Sequence, residues 1–172
     1  MDDGREGEAA GPVLFHEEQA FRQAWLWILV AGAWIALVAG LGAGAYREVL
    51  RGSGLGAMLG IVLATGVVWL LLAARLVVAV TPGLLTVRFF PFHRRPREFP
   101  LETIARWEPR TYRPILEYGG WGIRLGLRAG WAYNVSGNRG VQLLFQGGKK
   151  ILIGSQRSEE LARALDEAAG QR

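Results

Sequence analysis

The stretch AWLWILVAGAWIALVAGLGAGA, residues 24–45, has no charged side chain and decides the architecture of the N-terminal half. A helix needs about 20 apolar residues to cross the hydrocarbon core of a bilayer, and this run is long enough. A second uncharged run, LGAMLGIVLATGVVWLLLAA, occupies residues 55–74, and the polar loop YREVLRGSG joins the two runs. The pattern predicts an antiparallel hairpin of two transmembrane helices.

The segments before the first run are assigned from their polarity. Residues 1–12 are acidic and small, which is typical of a disordered tail. In residues 13–23, Phe15, Phe21 and Trp25 of the following run can share one side of a helix. We therefore expect either a lead-in helix at the membrane interface or the first turns of the first span, within a membrane region of residues 13–74.

The arginines that flank the two runs predict the orientation of the chain. More of them lie beside the outer ends of the runs than in the loop, so the positive-inside rule places both termini in the cytoplasm. The triplet at residues 43–45, AGA, resembles a signal-peptide cleavage site. The acidic segment before the run and the length of the run disfavour that interpretation.

Small residues recur at helical spacing in both runs and predict close helix–helix packing. The alternatives are packing of the two spans against each other and packing across a homo-oligomer. No ionisable side chain lies inside either run, which disfavours a proton path or a transporter. The packing residues are Gly32, Ala36, Gly40 and Gly44 in the first span and Gly56, Gly60 and Ala64 in the second.

After Arg75 the pattern becomes that of short strands separated by Gly and Pro. Seven segments, at residues 76–80, 84–90, 104–110, 121–127, 131–135, 141–145 and 149–154, are typical of strands. An amphipathic helix follows at about residues 158–169, with Ser158 as a cap. The fold class is therefore α+β: a helical hairpin followed by a β-barrel or β-sandwich domain of about seven antiparallel strands with a C-terminal helix, at residues 75–172.

Several stretches together resemble a family of bacterial membrane proteins with a pleckstrin-homology-like (PH-like) domain. The more specific ones are GGWGIR, residues 119–124, and NRGVQLLFQGGKKILIGS, residues 138–155. The resemblance runs from Phe15 to about Ala169. It implies two orthogonal antiparallel sheets closed by the helix, and it implies no activity, because the function of that family is not established. Together with the two predicted spans, we expect an inner-membrane protein.

Composition excludes several kinds of site. The chain has no cysteine and only two histidines, His16 and His93, so thiolate or multi-histidine metal sites are not expected. No nucleophile, base and orienting group can be argued to converge, and we expect no enzyme, no cofactor and no metal. Arginines spaced among acidic residues also disfavour nucleic acid as a partner.

The remaining candidate is the stretch FFPFHRRPRE, residues 89–98. Residues 75–172 hold 16 Lys and Arg against 8 Asp and Glu, a net charge of +8, which favours an anionic surface. If one strand leads away from the membrane and the next returns, this stretch lies at lipid headgroup height. The alternative is an ordinary solvated turn. The predicted lipid contacts are Phe90, Phe92, His93, Arg94, Arg95 and Arg97.

These features predict a membrane-anchored binding or scaffold protein. Its partners would be the bilayer, anionic headgroups among them, an unidentified protein, or a further copy of the chain. The alternative is an accessory subunit of a membrane transport or envelope-assembly complex that acts through its transmembrane hairpin.

Overall fold

The computed structural model describes residues 12–49, 55–126 and 129–170. They form two compact units: a helical unit, Phe21–Ala74, and a β-domain that combines the segment before it with Arg75–Arg172. The acidic tail assigned to residues 1–12 lies almost wholly outside the described residues, and so does much of the predicted loop at residues 46–54.

The helical unit contains α1 (Ala24–Val49) and α2 (Leu55–Ala73). Among the described residues, one helix is long and apolar enough to cross a membrane: Ala24–Gly44, with a mean hydropathy of 2.1 and none of its residues buried. Met58–Ala73 is a shorter apolar helix. Length and composition thus make α1 a candidate for membrane association.

The β-domain contains nine strands among the described residues, more than the seven expected. All seven predicted strands are present, and β1 and β4 are additional. The elements are β1 (Phe15–Ala20), β2 (Arg75–Thr81), β3 (Leu84–Phe90), β4 (Arg97–Pro100), β5 (Ile104–Thr111), α3 (Pro114–Tyr118), β6 (Gly122–Gly126), β7 (Gly130–Asn134), β8 (Arg139–Phe145), β9 (Lys150–Gly154) and α4 (Ser158–Gly170).

The strands form two open sheets, in the orders β1-β2-β3-β4 and β5-β8-β9-β7-β6. Neither sheet closes on itself, so a closed barrel is not observed. The expectation of purely antiparallel pairing is wrong at one place, because β7 and β9 pair in parallel. Alternate side chains of β2 and β3, such as Leu76, Val78 and Val87, are fully buried, as expected for strands with one face in a core.

The lead-in segment is a strand and not a helix. β1 pairs with β2 along its whole length, from Phe15 opposite Val80 to Ala20 opposite Arg75. Phe15, Glu17 and Gln19 are buried while His16 and Glu18 are exposed, which is the two-residue period of a strand. The prediction of an interfacial helix within residues 13–23 is therefore wrong for β1.

Two buried polar side chains explain why β1 stays in the β-domain. The Glu17 carboxylate accepts hydrogen bonds from Ser155 Oγ (2.5 Å) and from the Gln156 backbone N–H (2.9 Å). Gln19 Nε2 donates to the Gly154 carbonyl oxygen at 2.9 Å. β1 is thus attached both to the first sheet and to the chain between β9 and α4.

The C-terminal helix α4 covers the core. Leu161 and Leu165 are fully buried, and α4 contacts β1 and β2 of the first sheet as well as β5 and β8 of the second. Trp107 Nε1 donates to Asp166 Oδ1 at 2.8 Å, which adds a polar contact at the edge. The predicted helix at about residues 158–169 is present.

Candidate membrane-contact surface

The candidate surface is the turn between β3 and β4, residues 91–96, together with the end of β3. In the first sheet Arg75 pairs with Ala20 on one side and with Phe90 on the other. Ala20 and Arg75 are the residues at which the chain leaves the β-domain for the helical unit and returns from it. The turn therefore lies at the same end of the strands of the first sheet as the two connections to the helices.

His93 does not belong to the exposed part of this turn. Its side chain is 9 % exposed, and its Nδ1 accepts a hydrogen bond from the Phe89 backbone N–H at 3.2 Å. Its ring packs edge-on against Tyr133, with the centroids 5.5 Å apart. Burial, and then the nearby Arg97 guanidinium, lower the pKa of His93 below 6.5. The burial of His93 disfavours the predicted contact of this side chain with lipid, since the ring packs inside the β-domain.

Arg97 is exposed but is engaged with the protein. Its guanidinium donates to the Tyr133 hydroxyl at 2.9 Å and lies 5.8 Å from the centroid of the same ring. Burial raises the pKa of Tyr133, and Arg97 opposes that rise. Arg97 therefore links the first strand after the turn to β7 of the other sheet.

The other four predicted contact residues are exposed together. Phe90 is 40 % exposed and Phe92 57 % exposed, and Arg94 and Arg95 are exposed between the buried His93 and β4. The Phe92 ring also packs against the buried Phe89 ring, with the centroids 5.8 Å apart. We call Phe90, Phe92, Arg94 and Arg95 the aromatic–arginine patch.

The predicted ladder of small residues in α1 does not face α2. A methyl group added at Gly32, Gly40 or Gly44 would meet nothing within 4 Å. Between the two helices, Trp34 Nε1 of α1 donates to Thr65 Oγ1 of α2 at 3.4 Å. Ala36 and Gly56 are exposed as well, while Gly60 and Ala64 are half-buried. Contact of the α1 ladder with another helix stays a prediction.

Two supporting residues were missed by the sequence analysis. Tyr133 holds both His93 and Arg97, and Arg88 places its guanidinium 5.8 Å from the centroid of the Phe90 ring. Tyr133 lies in the other sheet, and nothing in the local sequence links the two positions. Alternation along β3 does place Arg88 and Phe90 on one face, which is a signal that could have been used.

Comparison with known proteins does not assign the chain to a family. No protein-family model matches the chain, and no curated protein matches it. Within the described residues, no group of three or more His, Asp or Glu side chains is placed to hold a metal ion. The arguments for function below therefore depend on the geometry of this chain.

Proposed function

We propose that this chain is a membrane-anchored, non-enzymatic binding or scaffold protein whose basic β-domain lies at the cytoplasmic face of the membrane. The observation that carries the proposal is the pairing of Ala20 with Arg75 in one sheet. This pairing supports an even number of crossings of a bilayer by the intervening chain and a position of the turn after β3 beside the bilayer.

The first consequence concerns the number of crossings. If α1 crosses the membrane, residue 75 must return to the side on which residue 20 lies, because the two residues are opposite each other in one sheet. The helical unit must then cross an even number of times. At 1.5 Å per residue the 19 residues of α2 are about 28 Å long, close to the thickness of the hydrocarbon core. This supports two spans, with both ends of the helical unit on one side.

The second consequence concerns the patch. Phe90 is the register neighbour of Arg75, so the aromatic–arginine patch lies beside the point where the chain returns from the helical unit. Aromatic rings favour the interface, and each arginine near an anionic leaflet gains about 1 kcal/mol. Arg94 and Arg95 together would then stabilise contact by about 2 kcal/mol, roughly a thirtyfold shift in population.

The finer details of the proposal come from the sequence. The excess of arginines at the outer ends of the two runs supports cytoplasmic termini. Two sheets with a C-terminal helix are consistent with a PH-like domain. The resemblance to PH-like membrane proteins supports an inner bacterial membrane.

The absence of cysteine allows a direct test. Phe92→Cys is introduced into the full chain and labelled with an environment-sensitive fluorophore, and the protein is reconstituted in vesicles that contain brominated lipids. The matched control is Glu102→Cys, since residue 102 is exposed beyond β4, at the end of the sheet where Leu84 pairs with Pro100. We expect quenching at residue 92 and little at residue 102.

The lipid composition then tests the charge. Quenching at residue 92 should be stronger in phosphatidylglycerol vesicles than in phosphatidylcholine vesicles, and Arg94→Ala with Arg95→Ala should remove that difference. Equal quenching at residues 92 and 102 would show that the patch does not contact the bilayer.

The second candidate function is that of an accessory subunit acting through its helices, for example in a transport or envelope-assembly complex. The open small-residue face of α1 at Gly32, Gly40 and Gly44 favours it. Replacing the helical unit by an unrelated anchor of two helices separates the candidates, because only an accessory subunit would lose its cellular partner.

A further inference from the structure

The second sheet carries an open groove of about 1000 Å³ on the face turned away from the main core. Its floor is formed by outward side chains of β5, β8 and β9, and one wall is α3. Leu152 and Ala132 on the same face pack with Tyr112 and Tyr118, which fixes α3 against the sheet. The groove lies entirely within the β-domain.

The register shows how the floor is composed. Arg106 of β5, Leu144 of β8 and Lys150 of β9 are neighbours in one row across three strands. Adjacent strands are about 4.8 Å apart, so roughly 10 Å separate the two cationic residues, with a leucine between them. In the next row Glu108 is opposite Gln142.

Among the described residues, the buried side-chain polar atoms of the groove that lack a hydrogen-bond partner are donors. Arg106 pairs with Glu108 at 2.9 Å, and Arg110 pairs with Glu117. Within the described ranges the Lys150 ammonium group has no hydrogen-bond or ion-pair partner. Two buried nitrogens, Arg110 Nε and Gln142 Nε2, also lack an acceptor. After the ion pairs are formed, one positive charge and unused N–H groups remain.

The rim of the groove is apolar and held in place. Leu116 of α3 is 76 % exposed and Leu125 of β6 is 62 % exposed, with Ile115 exposed beside them. Glu117 Oε1 accepts from the Arg113 backbone N–H at 2.7 Å, and α3 is followed by Gly119, whose φ is 71°. Such exposed apolar side chains beside a concave polar floor are typical of binding sites.

We propose that this groove binds a short, extended peptide segment of a protein partner, in which apolar side chains flank a single carboxylate. The carboxylate matches the unpaired charge of Lys150, and the apolar side chains would cover Leu116 and Leu125. Peptide carbonyl groups match the unused N–H donors, whereas an acyl chain has no acceptor beyond its head group. The inference rests on the proposed binding function and names its partner.

The probe is a random peptide library displayed on phage and selected on the full chain in phosphatidylcholine nanodiscs. The most enriched peptide is then synthesised, and its binding is measured by fluorescence anisotropy. We expect enriched peptides to combine apolar residues with an Asp, a Glu or a free C-terminus. Lys150→Glu should weaken binding of the selected peptide about tenfold, because it reverses the charge that the carboxylate meets.

Matched variants identify the groove as the site. Lys149→Glu changes the net charge equally but lies outside the groove, and it should leave binding unchanged. Leu116→Asp should weaken binding, whereas Val13→Asp, at another exposed apolar side chain of the β-domain, should not. Circular dichroism of each variant verifies that it is folded.

Three results would overturn the inference: no enriched peptide, enriched peptides without a carboxylate, or equal effects of Lys149→Glu and Lys150→Glu. The quenching experiment at residue 92 does not involve the groove. If the fluorophore at residue 92 is quenched and the phage selection yields no peptide, the peptide site is overturned and the membrane-contact proposal stands.

Discussion

The contact between Glu17 and Ser155 is expected to be the main polar attachment of β1. Glu17 is 7 % exposed, and its two carboxylate oxygens accept from Ser155 Oγ and from the Gln156 backbone N–H. Glu17→Ala removes both acceptors and leaves the fully buried Ser155 hydroxyl without one. The free energy of opening β1 from the domain should therefore fall.

The magnitude follows from these bonds. A hydrogen bond to a charged group contributes about 1.5–3 kcal/mol, and part of this is offset because the alanine no longer has a carboxylate to desolvate. We expect a net loss of about 3 kcal/mol for Glu17→Ala. Ser155→Ala alone should cost about 2 kcal/mol, and the double variant should cost less than the sum, since both changes remove one shared bond.

Hydrogen–deuterium exchange of the full chain in mild detergent measures this energy locally. A loss of about 3 kcal/mol should speed amide exchange in β1 by roughly a hundredfold. The control is Glu18→Ala in the same strand, which removes only an exposed ion pair with Arg75 and should cost at most about 1 kcal/mol. Equal exchange rates in the Glu17 and Glu18 variants would refute the assignment of the buried attachment.

Three further predictions concern other parts of the chain. Residues 12–20 joined to residues 75–170 by Asn-Gly should fold as a soluble domain, because Ala20 and Arg75 are paired neighbours; circular dichroism and gel filtration check this, and an aggregated product contradicts it. Because the pKa of His93 is lowered in the folded chain, the unfolded chain binds a proton at a higher pH than the folded chain does. The turn should therefore be fully stable above pH 6.5 and should lose stability as the pH falls. Hydrogen exchange at the Phe89 backbone N–H measures this pH dependence, and His93→Gln should abolish it. Gly40→Ala should preserve α1–α2 packing and stabilise the helix by up to about 1 kcal/mol, as the helical circular dichroism signal on heating would show. A large loss of helical stability would mean that this face packs on another helix.

Periodicity predicted the strands in which apolar and polar residues alternate. In β3, Thr86 and Arg88 alternate with buried apolar residues, whereas residues 76–80 of β2 are all apolar and form a short β-branched run. The bounds of β2, β3 and β8 differ from the expected ones by at most two residues. β1 was missed because two of its three buried side chains, Glu17 and Gln19, are polar. Their positions do not look like a core face until Ser155, Gln156 and the Gly154 carbonyl are placed opposite them.

The short elements escaped prediction for other reasons. β4 has four residues and ends in a proline, so its sequence resembles a turn. α3 has five residues, although a proline at its start and a left-handed glycine after its end are the signals expected for a helix of that kind. The parallel pairing of β7 with β9 joins strands that are not consecutive, and local sequence carries no information about it.

The candidate patch could be predicted only in part, because exposure depends on distant residues. Phe90, Phe92, Arg94 and Arg95 are exposed at the turn, as lipid contact would require, and the contact itself stays a prediction. His93 has the same local surroundings in the sequence, yet it is buried against Tyr133, 40 positions later. A titratable side chain between an aromatic residue and arginines looks exposed until the strand that covers it is known.

β1 bears on two interpretations of α1. A cleaved signal sequence near the N-terminus can be as long and apolar as α1, and residues 43–45 offer small side chains for cleavage. Cleavage there would separate β1 from the domain that it completes, and would remove Glu17 from Ser155 and the strand from β2. Translocation of the domain would also place β1 and β2 on opposite sides of the membrane, where they could not pair. The strands on the two sides of the apolar region therefore favour a helical unit inserted between β1 and β2 over a leader in front of the domain.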